Sequence, residues 1–244
     1  MNYLISEHLK FKRTISNKLL FIMPFTTAIL AWLIGGFIGY QYMTLYWWYS
    51  FLLPGAIAIL CSLSHKKEEN AGKYYSVFSM PVNLSKFETA KSIILIEKLL
   101  VAAVFLAMLI SISNIISPAT AVYSVLQSIT GSIGIIFASV WQIPLCLYLT
   151  RKTGIFVPVV LNTILGIVLS TAAAFGNTTA WWFVPYCWAA KLAEPLMGIQ
   201  LNGTYLGSCG FSVNIPISII LSMFLFVVLS FINARDFFKW EENK

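Results

Sequence analysis

The stretch from His65 to Lys91 reads HKKEENAGKYYSVFSMPVNLSKFETAK and concentrates charge in a chain that is only 10% charged. Glu68, Glu69 and Gly72 lie in the run from Lys66 to Phe78, which contains strong helix formers. Met80 precedes Pro81, which ends any helix there. Ser85 and Glu88 then have the Ser-x-x-Glu spacing of a capping box, so a second helix is expected to start at Ser85 and run on without a break. Two helices would thus meet at a proline elbow. Tyr74, Tyr75, Val77, Phe78, Met80 and Val82 add an apolar cluster that a merely solvated loop leaves unexplained, and such a cluster suggests a protein contact. The chemistry on offer is recognition of another protein, with Glu68, Glu69, Gly72, Tyr75, Phe78 and Pro81 as its candidate residues.

Groups for catalysis or metal binding are scarce. His8 and His65 are the only histidines, and no Cys-x-x-Cys pair occurs, so a zinc protease or a dimetal carboxylate site has nothing to be built from. No G-x-x-x-x-G-K-[ST] phosphate loop is present, and the chain is expected to hydrolyse no ATP by itself and to bind no cofactor. Cys61 and Cys146 fall in apolar runs. Cys187 and Cys209 share a polar-flanked loop where an oxidising environment would permit a disulfide, or where both stay free as small hydrophobes.

The elements that must position these residues are apolar. Of 244 residues 59% are hydrophobic and 15% aromatic, well beyond the soluble norm. The basic first 17 residues lack the apolar core and small-residue cleavage site of a secretory signal, so the protein is expected to keep Met1 as its start. Six stretches are long enough to cross a bilayer: 19–40, 46–64, 92–116, 122–149, 154–175 and 215–232. In lipid each must be helical, which makes the fold an all-α polytopic bundle. With six spans, fifteen of the sixteen Lys and Arg residues fall on one side and Lys191 alone on the other. Both termini are then cytoplasmic, and the net charge of +7 follows from topology without a nucleic-acid partner.

Residues 1–18 place Leu4, Phe11 and Ile15 near one helical face, as in a helix lying at the inner interface, against the alternative of a disordered basic leader. Pro24, Pro54, Pro144 and Pro158 would each bend a spanning helix, for packing or for a gate. The fourth stretch is too long for an untilted span and is expected to tilt or break near Gln142 and Pro144. Glu97 and Lys98 open the third span as neighbours that share no helical face, with Lys98 read as an interfacial anchor. No ionisable residue lies at the centre of a span, which argues against a proton-coupled carrier. Outside, residues 176–214 form the one long loop. Its Trp181, Trp182, Tyr186 and Trp188, like Trp47 and Trp48 at the outer start of the second span, are either interfacial anchors or part of a re-entrant element facing a lipid-embedded substrate.

Two runs carry a family resemblance. EENAGKYYSVFSMPVNLSKFETAK resembles the first cytoplasmic loop of ABC-2 type permeases, through Glu69, Ala71-Gly72, Pro81 and Ala90-Lys91. WWFVPYCWAAKLAEPLMGIQLNG is similar to the outer loop of lantibiotic-immunity permeases of the mutacin, nisin and subtilin type. It differs at Lys191, where that family often has Arg, and at Gln200-Leu201-Asn202-Gly203, where Pro-Asn-Gly is usual. The resemblance implies one transmembrane domain over 1–244, with an interfacial helix over 1–18, coupling helices over 65–91 and an extracellular loop over 176–214. It implies a multi-pass protein of the cell membrane in a Gram-positive bacterium. Its partners would be two copies of an ABC ATP-binding subunit, which would carry ATP and Mg, a second non-identical six-span permease and an immunity lipoprotein. The complex would expel an antimicrobial peptide from the membrane. Other cargoes, a lipid, a polysaccharide precursor or a drug, and a non-transporting scaffold or sensor role stay open.

Overall fold

The computed structural model describes residues 3–11, 14–70, 84–175, 181–207 and 209–242. Among the described residues nine α-helices run in the order α1 (Tyr3–Phe11), α2 (Ile15–Trp47), α3 (Leu53–Asn70), α4 (Leu84–Ile116), α5 (Val125–Ser139), α6 (Gln142–Thr153), α7 (Phe156–Phe175), α8 (Cys187–Met197) and α9 (Asn214–Glu242). A π-helical turn over Trp48–Leu52 joins α2 to α3. Among the described residues the only β pairing is an isolated bridge between Ile199 and Tyr205.

Among the described residues three helical stretches are long and apolar enough to cross a membrane, Ile15–Asn70, Ser85–Ile116 and Asn214–Phe237; α5 and α6, bent by 47°, make a fourth when taken together. The first of these holds 56 residues, which as one straight helix would be ~84 Å long, far beyond the hydrocarbon thickness of a bilayer. It is folded back on itself. Gly36 breaks the helix with φ 56° and ψ −155°, a left-handed conformation that favours glycine. A Cβ on Gly35 would lie 3.1 Å from Met43 Cγ, a contact that no straight helix makes across eight residues. The two limbs lie side by side, and Leu19, Leu20 and Met23 of one meet Trp48, Ala56 and Leu60 of the other around a small void.

The turn therefore comes four residues before the expected end of the first span at Tyr40. Gln41, polar enough to suggest a loop, is instead buried, because every hydrogen-bonding atom of its amide is used. Its Oε1 accepts from the backbone N–H of Val122 and Tyr123 at 2.7 and 2.8 Å, and its Nε2 donates to Ser113 Oγ and Asn114 Oδ1 at 2.8 and 2.6 Å. This clasp ties the fold-back to the C-terminal end of α4 and to the connection into α5.

The expected break near Gln142 is present, since α5 ends at Ser139 and α6 starts at Gln142. Pro144 and Pro158 occupy the first turns of α6 and α7, where a missing N–H costs nothing, so neither bends a continuous helix. Pro54 follows the π-helical turn, and Gly166 of α7 packs against it so closely that a Cβ there would lie 2.8 Å from the Pro54 ring and 2.9 Å from the Ser50 carbonyl. α4 begins at Leu84 and continues unbroken to Ile116, within one residue of the expected start.

The segment between α7 and α9 turns back into the bundle. Cys187 Sγ donates to the Leu169 carbonyl of α7 at 3.0 Å. At the other end of α8, Met197 fills the space over Gly131 of α5, and the Tyr123 hydroxyl donates to the Met197 carbonyl at 2.7 Å. Gly131 and Gly134 are what allow this close approach, as small residues do between membrane helices.

Candidate functional site

The charged side chains collect at one end of the bundle, where α3 stops, α4 starts, and α1, α6 and α9 converge. Lys10 of α1 donates to Glu7 and to Glu68 of α3, both at 2.5 Å, and both carboxylates are buried. One ammonium thus serves two carboxylates and fixes α1 to the last turn of α3. The buried face of α1 is accordingly formed by Glu7 and Phe11, while Leu4, Ile5 and Leu9 are exposed. Ile15 belongs to α2 and is also exposed.

At the start of α4 a second buried group forms. Asn233 of α9 donates from Nδ2 to Glu88 Oε2 at 3.0 Å, and its Oδ1 accepts from Arg151 of α6. Glu88 and Arg151 themselves are 3.6 Å apart. The Arg151 guanidinium lies over the Phe237 ring, 4.5 Å from its centroid, and Phe237 stacks on Phe87. Glu88 therefore spends its carboxylate across three helices, in place of the expected reach back toward Ser85. Further out, Lys152 pairs with Asp236 at 2.8 Å, and Glu97 meets both His8 at 3.3 Å and its neighbour Lys98 at 3.4 Å. Adjacent side chains on a helix do meet here, because the long lysine stem bends back along the surface.

Of the candidate recognition residues, Glu68 is buried and paired as described, whereas Glu69 is exposed in the last turn of α3. Gly72, Tyr75, Phe78 and Pro81 lie outside the described residues. The two described flanks of residues 71–83, the end of α3 and the start of α4, are each anchored, at Glu68 and at Glu88.

The six candidate aromatic residues divide into two groups. Trp181 and Trp188 are buried with Trp141, whose ring meets Tyr186 edge-on at 4.9 Å and Trp188 at 6.1 Å. Trp188 Nε1 donates to the Trp182 carbonyl at 3.1 Å. The Tyr186 hydroxyl donates to Asn162 Oδ1 at 2.7 Å, and Asn162 Nδ2 donates to the Pro54 carbonyl and to Gln142 Oε1. Trp47 and Trp48 are placed apart from these, at the π-helical turn, with Trp48 fully enclosed in the core. Of the six candidate outer aromatics only Trp182 is exposed, at 50%.

Sequence reasoning passed over Phe183, Leu206, Phe211 and Val213, which are exposed apolar residues of the segment between α7 and α9. All three of Cys61, Cys146 and Cys187 are buried and Cys209 is exposed, each as a free thiol. Burial and the neighbouring Cys209 thiol raise the Tyr205 hydroxyl above the usual tyrosine range, so it stays protonated at neutral pH. Lys191 pairs with Glu194 one turn along α8 at 2.9 Å. No group of three or more His, Cys, Asp or Glu residues able to hold a metal occurs among the described residues.

No curated protein and no solved structure is significantly similar to the chain. A family model described as ABC-2 family transporter protein matches residues 3–169, from α1 through most of α7 and including both anchors of the 71–83 connection. With more than half of its length matched, the chain belongs to the ABC-2 family of transporter proteins.

Proposed function

We propose that the chain is the permease subunit of an ATP-driven exporter that removes a lantibiotic, or a similar amphiphilic antimicrobial peptide, from the membrane of the cell producing it. Family membership makes it an integral membrane subunit of an ABC transporter that works with an ATP-binding subunit. In our reading that subunit is present in two copies and supplies ATP and Mg, beside a second non-identical six-span permease and an immunity lipoprotein, in the cell membrane of a Gram-positive bacterium. The six crossings are the two limbs of the Gly36 hairpin, α4, the bent α5–α6 pair, α7 and α9. Both termini and the charged end are cytoplasmic, α1 lies in the inner interface, and α8 is a re-entrant helix on the outer side.

The observation that carries the transport mechanism is the double anchoring of residues 71–83. Glu68 on one flank is held by Lys10, and Glu88 on the other by Arg151 and Asn233. A segment gripped by an ATP-binding subunit would then move α3 and α4 as levers. α3 carries that motion from Glu68 to the Pro54 carbonyl, where Asn162 passes it to Gln142 at the break in α6 and to Tyr186 in front of α8. Buried hydrogen-bonded contacts of this kind are stiff enough to link two arrangements of a bundle.

The peptide cargo is supported by the likeness of the outer run to immunity permeases and by the exposed Trp182, Phe183 and Phe211, apolar surface at the outer end that fits an amphiphile. Cells making the chain with its ATP-binding partner and second permease should tolerate pore-forming or lipid II-binding peptides better than cells lacking it. The gain should vanish when the partner's ATP hydrolysis is inactivated. Unchanged tolerance across a peptide panel, with protection against an unrelated drug or a change in exported lipid, would replace the peptide cargo while leaving the permease reading in place.

A further inference from the structure

The buried group at the foot of α4 has an unusual division of labour. Glu88 and Arg151, 5% and 3% exposed, stand 3.6 Å apart, too far for a hydrogen bond between them. The contact that joins them is the Asn233 amide, which donates to Glu88 and accepts from Arg151 at once. A neutral amide therefore holds two opposite charges in register, and it comes from α9, the last helix. Along its apolar length α9 exposes Ile220, Phe224, Val227 and Phe231, while Ile215, Ile219, Met223 and Phe226 pack against the core. At its inner end, by contrast, it is pinned by this amide, by Phe237 under Arg151 and by the Lys152–Asp236 pair. Without the bridge Glu88 and Arg151 still attract each other, but the amide no longer fixes the register in which α4 meets α6.

We propose that Asn233 is a positioning residue for coupling: it locks α4 to α6 so that movement of the 71–83 segment reaches the bent α6 and the outer α8 instead of being absorbed at the Glu88 turn. This rests on the reading of residues 71–83 as the coupling segment. α9 is thereby part of the transmission and not only a lipid-facing strut.

The test uses the complex with its ATP-binding partner in lipid nanodiscs, with an environment-sensitive fluorophore on the exposed Cys209 of the outer segment. In the wild-type complex, MgATP should change the Cys209 signal. Asn233→Leu should leave partner binding and basal ATP hydrolysis within about twofold while cutting the ATP-driven signal by about tenfold or more. A purely structural role would instead lower melting temperature, hydrolysis and signal together, and that parallel loss overturns the proposal, as does an unchanged signal in Asn233→Leu. Should this variant not accumulate, Arg151→Lys decides, because it keeps the charge but lacks the planar fork that reaches both Asn233 and Phe237; a wild-type signal in Arg151→Lys overturns the proposal. A wild-type complex that hydrolyses ATP with no response at Cys209 overturns the coupling reading, and the role of Asn233 with it.

Discussion

The Glu88 carboxylate and the Arg151 guanidinium meet at 3.6 Å, both shielded from water, and they join the start of α4 to the end of α6. Charges so placed are stabilising only while each has its partner. Arg151→Met would take away the guanidinium that faces the buried Glu88 carboxylate, and a loss of about 3–5 kcal/mol in stability is expected. The double variant Glu88→Gln with Arg151→Met should recover a large part of it, since neither residual group then carries an uncompensated charge. Thermal unfolding of the purified protein in detergent checks both, and additive losses would show that the two residues do not interact.

Gly166 and Gly131 are both crowded, but by different neighbours. At Gly166 a new Cβ would press on the Pro54 ring and the Ser50 backbone carbonyl, at 2.8 and 2.9 Å, neither of which can swing away. At Gly131 the obstacle is the Met197 thioether, a flexible chain that can change rotamer. Gly166→Ala should therefore cost about 1–3 kcal/mol or more by overpacking, with Gly131→Ala milder and largely rescued by Met197→Ala. Equal losses at the two sites, measured by thermal unfolding, would contradict this account.

The thiols offer a simpler check on the outer segment. Cys187 is buried and spends its thiol on the Leu169 carbonyl, whereas Cys209 is exposed. Folded protein treated with N-ethylmaleimide should gain about one label, at Cys209, as reactivity requires access. The labelling should be the same with or without prior reduction, and an increase after reduction would reveal a disulfide.

Much of this arrangement was legible in the sequence because it follows from one-dimensional quantities. Apolar runs of bilayer length and the segregation of lysine and arginine point to a helical bundle with its charges at one end, and the length of the fourth run announces its break. What could not be read were relationships that need the third dimension. The fold-back at Gly36 has no polar loop to mark it, since a single glycine in a left-handed conformation suffices and Gln41 is hidden by the clasp it forms. Arg151 looked like a topological signal beside Lys152, and Asn233 carried no sequence signal of its own. Only their convergence on Glu88, 145 positions before Asn233, gives them a common task. Asn162 is similar: its partners Pro54, Gln142 and Tyr186 come from three separate segments.

The outer tryptophans should now separate by burial. Trp188 is enclosed against Trp141 and gives its indole N–H to the Trp182 carbonyl, so Trp188→Leu removes packing and a buried hydrogen bond together and should cost about 3 kcal/mol in stability. Trp182 presents half of its surface outward and Phe183 nearly all of it, so Trp182→Ala and Phe183→Ala should leave the melting temperature within a few degrees of wild type. If the outer end engages an amphiphilic peptide, these two substitutions, and not Trp188→Leu once corrected for protein level, should reduce peptide tolerance, because an exposed aromatic side chain carries contact energy that a buried one cannot offer. Dose–response growth curves normalised to membrane abundance measure the difference. Full tolerance in the Trp182→Ala, Phe183→Ala double variant would assign these side chains to the membrane interface, where aromatic rings sit at the headgroup level without touching any cargo.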